Sequence, residues 1–161
     1  MGQTPENLYF VRNFTHTIDS QRRFAIPSEW RKGGAAEDRF VLLPAKDNLI
    51  QMIPEVTFQQ EILEKAKKLS LADARGMRDL ALLGSRASAC TCDKQGRVQL
   101  TPQMMKYAGL TTQVVLVGSL WCIQLWNPAK WEPYAQESED EGMDDAFFDI
   151  LEKINQKENG K

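Results

Sequence analysis

The sequence predicts an α+β, β-rich fold: a pseudo-twofold β body built from two copies of one strand-rich unit, with flanking helices. Three observations predict it: an ungapped internal repeat, period-two apolar alternation inside each copy, and helix-start signals between the copies. Thr17-Ile-Asp19-Ser-Gln21-Arg-Arg23 falls on Thr91-Cys-Asp93-Lys-Gln95-Gly-Arg97 at an offset of 74, identical at Thr, Asp, Gln and Arg. Phe24 and Ile26 meet Val98 and Leu100, Phe40-Val-Leu-Leu43 meets Val114-Val-Leu-Val117, and Pro54 meets Pro128. Ile50-Gln-Met52 resembles Ile123-Gln-Leu125 at an offset of 73, so the last turns of the two copies are expected to differ by one residue. A strand-rich unit of about forty residues cannot bury enough apolar surface alone, so each copy is expected to complete its core on the other.

The elements follow in order. Residues 1–11 read as an N-terminal extension or the remnant of an engineered protease site, since Glu6-Asn-Leu-Tyr-Phe10 matches the start of such a site but Val11 breaks it. Met1–Phe10 therefore stands outside the expected fold. The first copy spans 12–56. Phe14, His16 and Ile18 alternate with polar residues as in a half-buried strand, the Asp19–Arg23 stretch turns, and Phe24-Ala-Ile26 resumes the strand. Ser28 is expected to cap a short helix that Gly33-Gly34 ends. Residues 57–85 connect the copies by helices: Thr57-Phe-Gln-Gln60 has capping-box form, and Ser70-Leu-Ala-Asp73 opens a second helix closed by Gly84. The second copy, 86–130, has Gly96 free to take positive φ in its turn, where the first copy has Arg22. Thr101-Pro102 is an N-cap with Pro at N1, opening a helix that Gly109 closes. Residues 131–161 form a helical, acidic tail, solvated and partly disordered over Glu137–Asp149, with a final amphipathic stretch bearing Phe147, Ile150, Leu151 and Ile154.

At 161 residues, 42% apolar and 26% charged, the chain falls outside the disordered, collagen-like and coiled-coil classes. No apolar run reaches the roughly 20 residues of a membrane-spanning helix, and no secretory signal is visible. Three cysteines, an odd number, then point to a reducing cytoplasm. The net charge of −2 conceals a split: nine acids and no Lys or Arg lie between Glu132 and Glu152, and without them the body stands at +7. A basic body favours an anionic partner.

The doubled signature resembles the MraZ family of bacterial transcriptional regulators. The stretches that carry the resemblance are Asp19-Ser-Gln-Arg-Arg-Phe-Ala-Ile-Pro27, Leu82-Leu-Gly-Ser-Arg-Ala-Ser-Ala89 and Asp93-Lys-Gln-Gly-Arg97, with Tyr107-Ala-Gly-Leu110, Val114-Val-Leu-Val-Gly118 and Leu125-Trp126. They run in the family's order from roughly Arg12 to Trp131. The resemblance implies two AbrB-like swapped-hairpin halves forming a pseudo-twofold β-barrel with flanking helices. It also implies a ring-shaped homo-oligomer that binds short direct repeats in double-stranded promoter DNA upstream of the division and cell-wall gene cluster, hence a cytoplasmic, nucleoid-associated protein. Arg22 departs from the family's Gly at that position, and Thr101 from the Pro that matches Pro27.

The candidate DNA-binding residues are Arg23, Arg97, Arg22, Lys94, Arg12 and Arg86. Arg23 and Arg97 present planar forks suited to guanine O6 and N7; the competing reading pairs each with the Asp four residues earlier as a turn brace. Asp19 and Asp93 are then turn-orienting residues through Asx-type bonds. Arg22, Lys94, Arg12 and Arg86 are candidate phosphate contacts, against a reading as ordinary solvated surface. Cys90, Cys92, Cys122 and His16 read as packing rather than a Cys₃His zinc site, because the other copy fills the equivalent positions with ordinary residues. No catalytic constellation, phosphate loop, metal site or cofactor is expected, and the chain reads as a non-enzyme. Trp30, Trp121, Trp126, Trp131, Met104 and Met105 suit either core or subunit interface. A protein- or RNA-interaction module is the alternative to operator binding.

Overall fold

The computed structural model describes residues 9–31, 38–140 and 143–159. Two compact units divide the chain, one through Asn127 and one from Pro128. In the first unit a six-stranded antiparallel sheet runs in the order β1 (Asn13–Thr17), β7 (Gln113–Gly118), β8 (Ile123–Trp126), β4 (Leu49–Pro54), β3 (Arg39–Ala45), β5 (Ser88–Thr91). A two-stranded ribbon pairs β2 (Arg23–Ala25) with β6 (Arg97–Gln99). Read from either edge, the sheet is the same object. Strand β1 of the first copy lies on β7 of the second, and β5 of the second lies on β3 of the first. Even the register repeats: Thr17 faces Gln113 as Thr91 faces Arg39, and His16 faces Val114 as Cys90 faces Phe40. The pseudo-twofold axis passes through the pairs Gln51–Gln124 and Phe24–Val98. Each copy lends a strand to the other, which is the swapped-hairpin arrangement.

The expected barrel does not close. Edge strands β1 and β5 are not paired with each other, because each runs into an Asp turn whose outgoing strand, β2 or β6, pairs only with its counterpart. The core is shared: Phe24, Val98, Ile26, Leu100, Trp30, Met104, Leu42, Ile50, Met52, Leu116, Ile123 and Leu125 are all buried in one cluster. The difference in the last turns also appears. The β3–β4 hairpin turns through Lys46–Asn48, whereas β7–β8 turns through Leu120 and Trp121 with Ser119 N–H bonded to Cys122 O at 3.0 Å.

Phe10 is fully buried in this core, with its ring edge-on to Trp30 at 5.6 Å and its backbone bonded to Leu120. The fold thus begins before residue 12, and excluding Met1–Phe10 misplaced one of its largest core side chains. Gly118 is what admits it: a Cβ there would lie 2.5 Å from the Phe10 carbonyl carbon.

Helix boundaries follow the caps only where the cap is free to form. Helix α4 (Pro102–Ala108) starts as expected, with Thr101 Oγ accepting from Met104 N–H at 3.1 Å and Gly109 ending it at φ 65°. The capping box at Thr57 does not form, because α1 (Glu55–Phe58) starts directly off β4 with Pro54 as its N-cap. It continues through the wider turn Gln59–Leu63 into α2 (Glu64–Ala66), and Phe58 and Ile62 pack on Val41, Leu43, Ile53 and Cys122. Helix α3 (Ala74–Arg86) opens on the Asp73 side chain and runs through Gly84, whose α-carbon faces open space. Ser28 lies inside a single 3-10 turn (Ser28–Trp30) capped by Pro27, so it is no cap; the Gly33-Gly34 stop lies outside the described residues.

The second unit consists of α5 (Pro128–Asp140) and α6 (Met143–Asn159). The acidic run, expected to be partly disordered, is helical across its described residues. Asp145 sits in the first turn of α6, where a carboxylate favours the N-terminal end of the helix dipole. No helix among the described residues is long and apolar enough to cross a membrane.

Candidate nucleic-acid interface

Strand alternation decides which way the arginines point. Phe24 and Val98 turn into the core, so Arg23, Ala25, Arg97 and Gln99 occupy the opposite, outward face of the β2–β6 ribbon. Arg23 pairs with Gln99 and Arg97 with Ala25, which sets the two arginines diagonally across one face.

Each turn is built by its aspartate. Asp19 Oδ1 accepts from the backbone N–H of Gln21 at 2.8 Å and of Arg23 at 2.9 Å, while Oδ2 accepts from Arg23 Nε at 2.9 Å. Asp93 makes the same three bonds to Gln95, Arg97 and Arg97 Nε, each at 2.9 Å. The backbone N–H bonds, led by that of Arg23 or Arg97, hold both carboxyls below the ordinary carboxylate range. Each arginine thus bonds the aspartate four residues earlier, and this pairing leaves room for the other reading. Only Nε is engaged by the aspartate four residues earlier, and each arginine side chain as a whole is about 30% exposed. The two sites touch, with Arg97 Nη1 lying 3.8 Å from Asp19 Oδ2. Two arginines and two aspartates thus form one cluster across the pseudo-axis.

The remaining candidates divide by location. Arg22 and Lys94 lie within the turns. Lys94 is exposed, whereas Arg22 sits at φ 64° with Nε bonded to Leu100 O at 2.9 Å, so its charge is partly tied to the fold. Arg12 and Arg86 are themselves repeat equivalents, but they stand at the starts of β1 and β5, a full strand away from the turns. Arg12 bonds Glu29 at 3.1 Å and lies over the Phe14 ring. The structure does not bring this pair to the ribbon face.

Arg31 also reaches the second turn. Its guanidinium lies on the backbone of the second turn, so close that a Cβ on Gly96 would sit 2.0 Å from Nη1. The repeat gives no hint of it, because the equivalent residue is Met105. Gln99 is the other omission; its Nε2 donates to Gln21 O at 2.8 Å and straps the first turn to the second copy.

The cysteines are free and do not share a site. Cys92 lies in the main core with Cys90 packed against it, while Cys122 lies in the smaller cluster beneath α1. Burial pushes the Cys90 and Cys92 thiols up to about 12, which leaves them protonated and poor nucleophiles at neutral pH. His16 Nδ1 donates to Ala25 O, tying β1 to β2. Among the described residues no three His, Cys, Asp or Glu side chains gather as metal ligands.

Comparison with known proteins gives this arrangement a family. The model for "MraZ protein, putative antitoxin-like" matches residues 83–151. Transcriptional regulator MraZ of Natranaerobius thermophilus is 35% identical over 147 residues, covering 90% of this chain and 96% of that protein. The chain belongs to the MraZ family. Proteins of the same name from Desulforamulus reducens (31% identical, 81% of this chain, 89% of that protein) and Cutibacterium acnes (30%, 90% and 96%) are also similar.

Proposed function

We propose that this chain is a DNA-binding transcriptional regulator without enzymatic activity. It acts as a ring-shaped homo-oligomer in the nucleoid, its subunits each reading one of a series of short direct repeats in promoter DNA of the division and cell-wall gene cluster. The observation that carries the reading is the outward face of the ribbon, where Arg23 and Arg97 stand side by side, each oriented by its own aspartate. A two-stranded ribbon fits the major groove, and an arginine fork held by one nitrogen still offers two donors to guanine O6 and N7. Lys94 and Arg22 flank the arginines as phosphate contacts, which supply affinity rather than sequence preference. Arg12 and Arg86, at the far ends of the edge strands, would meet only more distant phosphates. One subunit's few contacts give modest affinity, and several subunits on tandem repeats multiply it.

The test is fluorescence anisotropy with duplex from the region upstream of the chain's own gene, titrated with salt. Affinity is expected to fall steeply with salt and to drop tenfold or more in Arg23→Ala and Arg97→Ala, with circular dichroism unchanged. A response flat in salt, or variants that unfold, would leave the two arginines as braces alone.

A further inference from the structure

Within the five-residue turns, three positions are the same in both copies: Asp19 and Asp93, Gln21 and Gln95, Arg23 and Arg97. The other two differ, Ser20 against Lys94 and Arg22 against Gly96. The fold accounts for Asp and Arg, whose side chains bond each other and the turn backbone. It does not account for Gln. Each turn uses only the glutamine backbone N–H, which any residue but proline supplies, and both side chains are exposed. Among the described residues neither carboxamide has a hydrogen-bond partner of its own, yet both backbones are held: Gln21 by Asp19 and by Gln99 Nε2 on its carbonyl, Gln95 by Asp93.

We propose that Gln21 and Gln95 are specificity-determining residues that read adenine beside the guanines taken by Arg23 and Arg97. The inference rests on the DNA-binding reading above. A carboxamide offers one acceptor and one donor, the complement of adenine N6–H and N7, whereas guanine presents two acceptors in the major groove and suits arginine. Each turn then carries an adenine reader two residues from a guanine reader. The close approach of Arg97 to Asp19 keeps both pairs within one short footprint.

The full-length protein, its Gln21→Ala and Gln95→Ala variants and the double variant are each used to select from a duplex pool with a randomised central segment. The wild type is expected to enrich a motif containing both guanine and adenine. Each single variant should keep the guanines and lose preference at one adenine by tenfold or more, and the double variant at both, with unchanged melting temperatures. Replacing that adenine by 7-deaza-adenine should weaken wild-type binding and leave the matching variant unaffected. Variants that enrich the wild-type motif with the same weight at every position would overturn the assignment while leaving the arginine reading intact. Failure of the wild type to enrich any motif would remove the DNA-binding reading, and this one with it.

Discussion

The two Asp turns make the same hydrogen bonds and reach the same shape by different means. Both need a left-handed residue at their fourth position, and the copies supply Gly96 at φ 77° and Arg22 at φ 64°. Glycine takes that conformation without steric cost, whereas a side chain there costs about 1–3 kcal/mol unless the surroundings hold it. The first turn is held. Arg22 Nε and backbone carbonyl bond Leu100, and Gln99 bonds the Gln21 carbonyl. The second turn shares the backbone strap, Gly96 O accepting from Ile26 N–H at 2.9 Å, but among the described residues it has neither side-chain strap, and the space above its glycine is filled by Arg31. One backbone shape is thus held by added side-chain bonds across the pseudo-axis in one copy and left free of strain in the other.

That comparison is open to direct attack. Gly96→Ala should have the largest effect, since the new Cβ meets both a left-handed backbone and the Arg31 guanidinium; about 2–3 kcal/mol of stability should be lost in urea unfolding. Arg22→Gly should change stability by no more than about 1 kcal/mol, because the relieved strain offsets the lost bond to Leu100. A loss as large as that of Gly96→Ala would mean that the straps matter more than the conformation. Gln99→Ala should cost about 0.5–1.5 kcal/mol, the net worth of one hydrogen bond, and should quicken amide exchange around the first turn only.

Acid should weaken both turns alike. Asp19 and Asp93 titrate lower in the folded chain than unfolded, so their contribution is present above their unfolded values near pH 4 and is lost as pH falls through the lower folded values. Thermal melts of the wild type should lose stability across that acid range. An Asp19→Asn, Asp93→Asn double variant should start lower at neutral pH and fall less steeply; parallel profiles would detach the aspartates from acid stability.

Local chemistry was legible wherever neighbours in sequence supply it. Thr101, Pro102 and Gly109 define their helix because cap, first position and stop all lie within nine residues. Cap signals failed where tertiary contacts took over: β4 feeds α1 directly past Thr57, and α3 runs on through Gly84 until the chain must extend into β5. Phe10 was hidden for a similar reason, since nothing near it in sequence shows that Gly118 leaves it a berth.

What the sequence by itself determined is the doubling, the turn chemistry and the alternation that aims Arg23 and Arg97 outward, because these depend on residue type and spacing alone. Tertiary structure decided that the copies exchange edge strands, that the sheet stays open, and that Arg31 and Gln99 reach the turns while Arg12 and Arg86 do not. Those outcomes depend on contacts between residues dozens of positions apart, which are set by how complementary surfaces pack and not by any local preference of the chain.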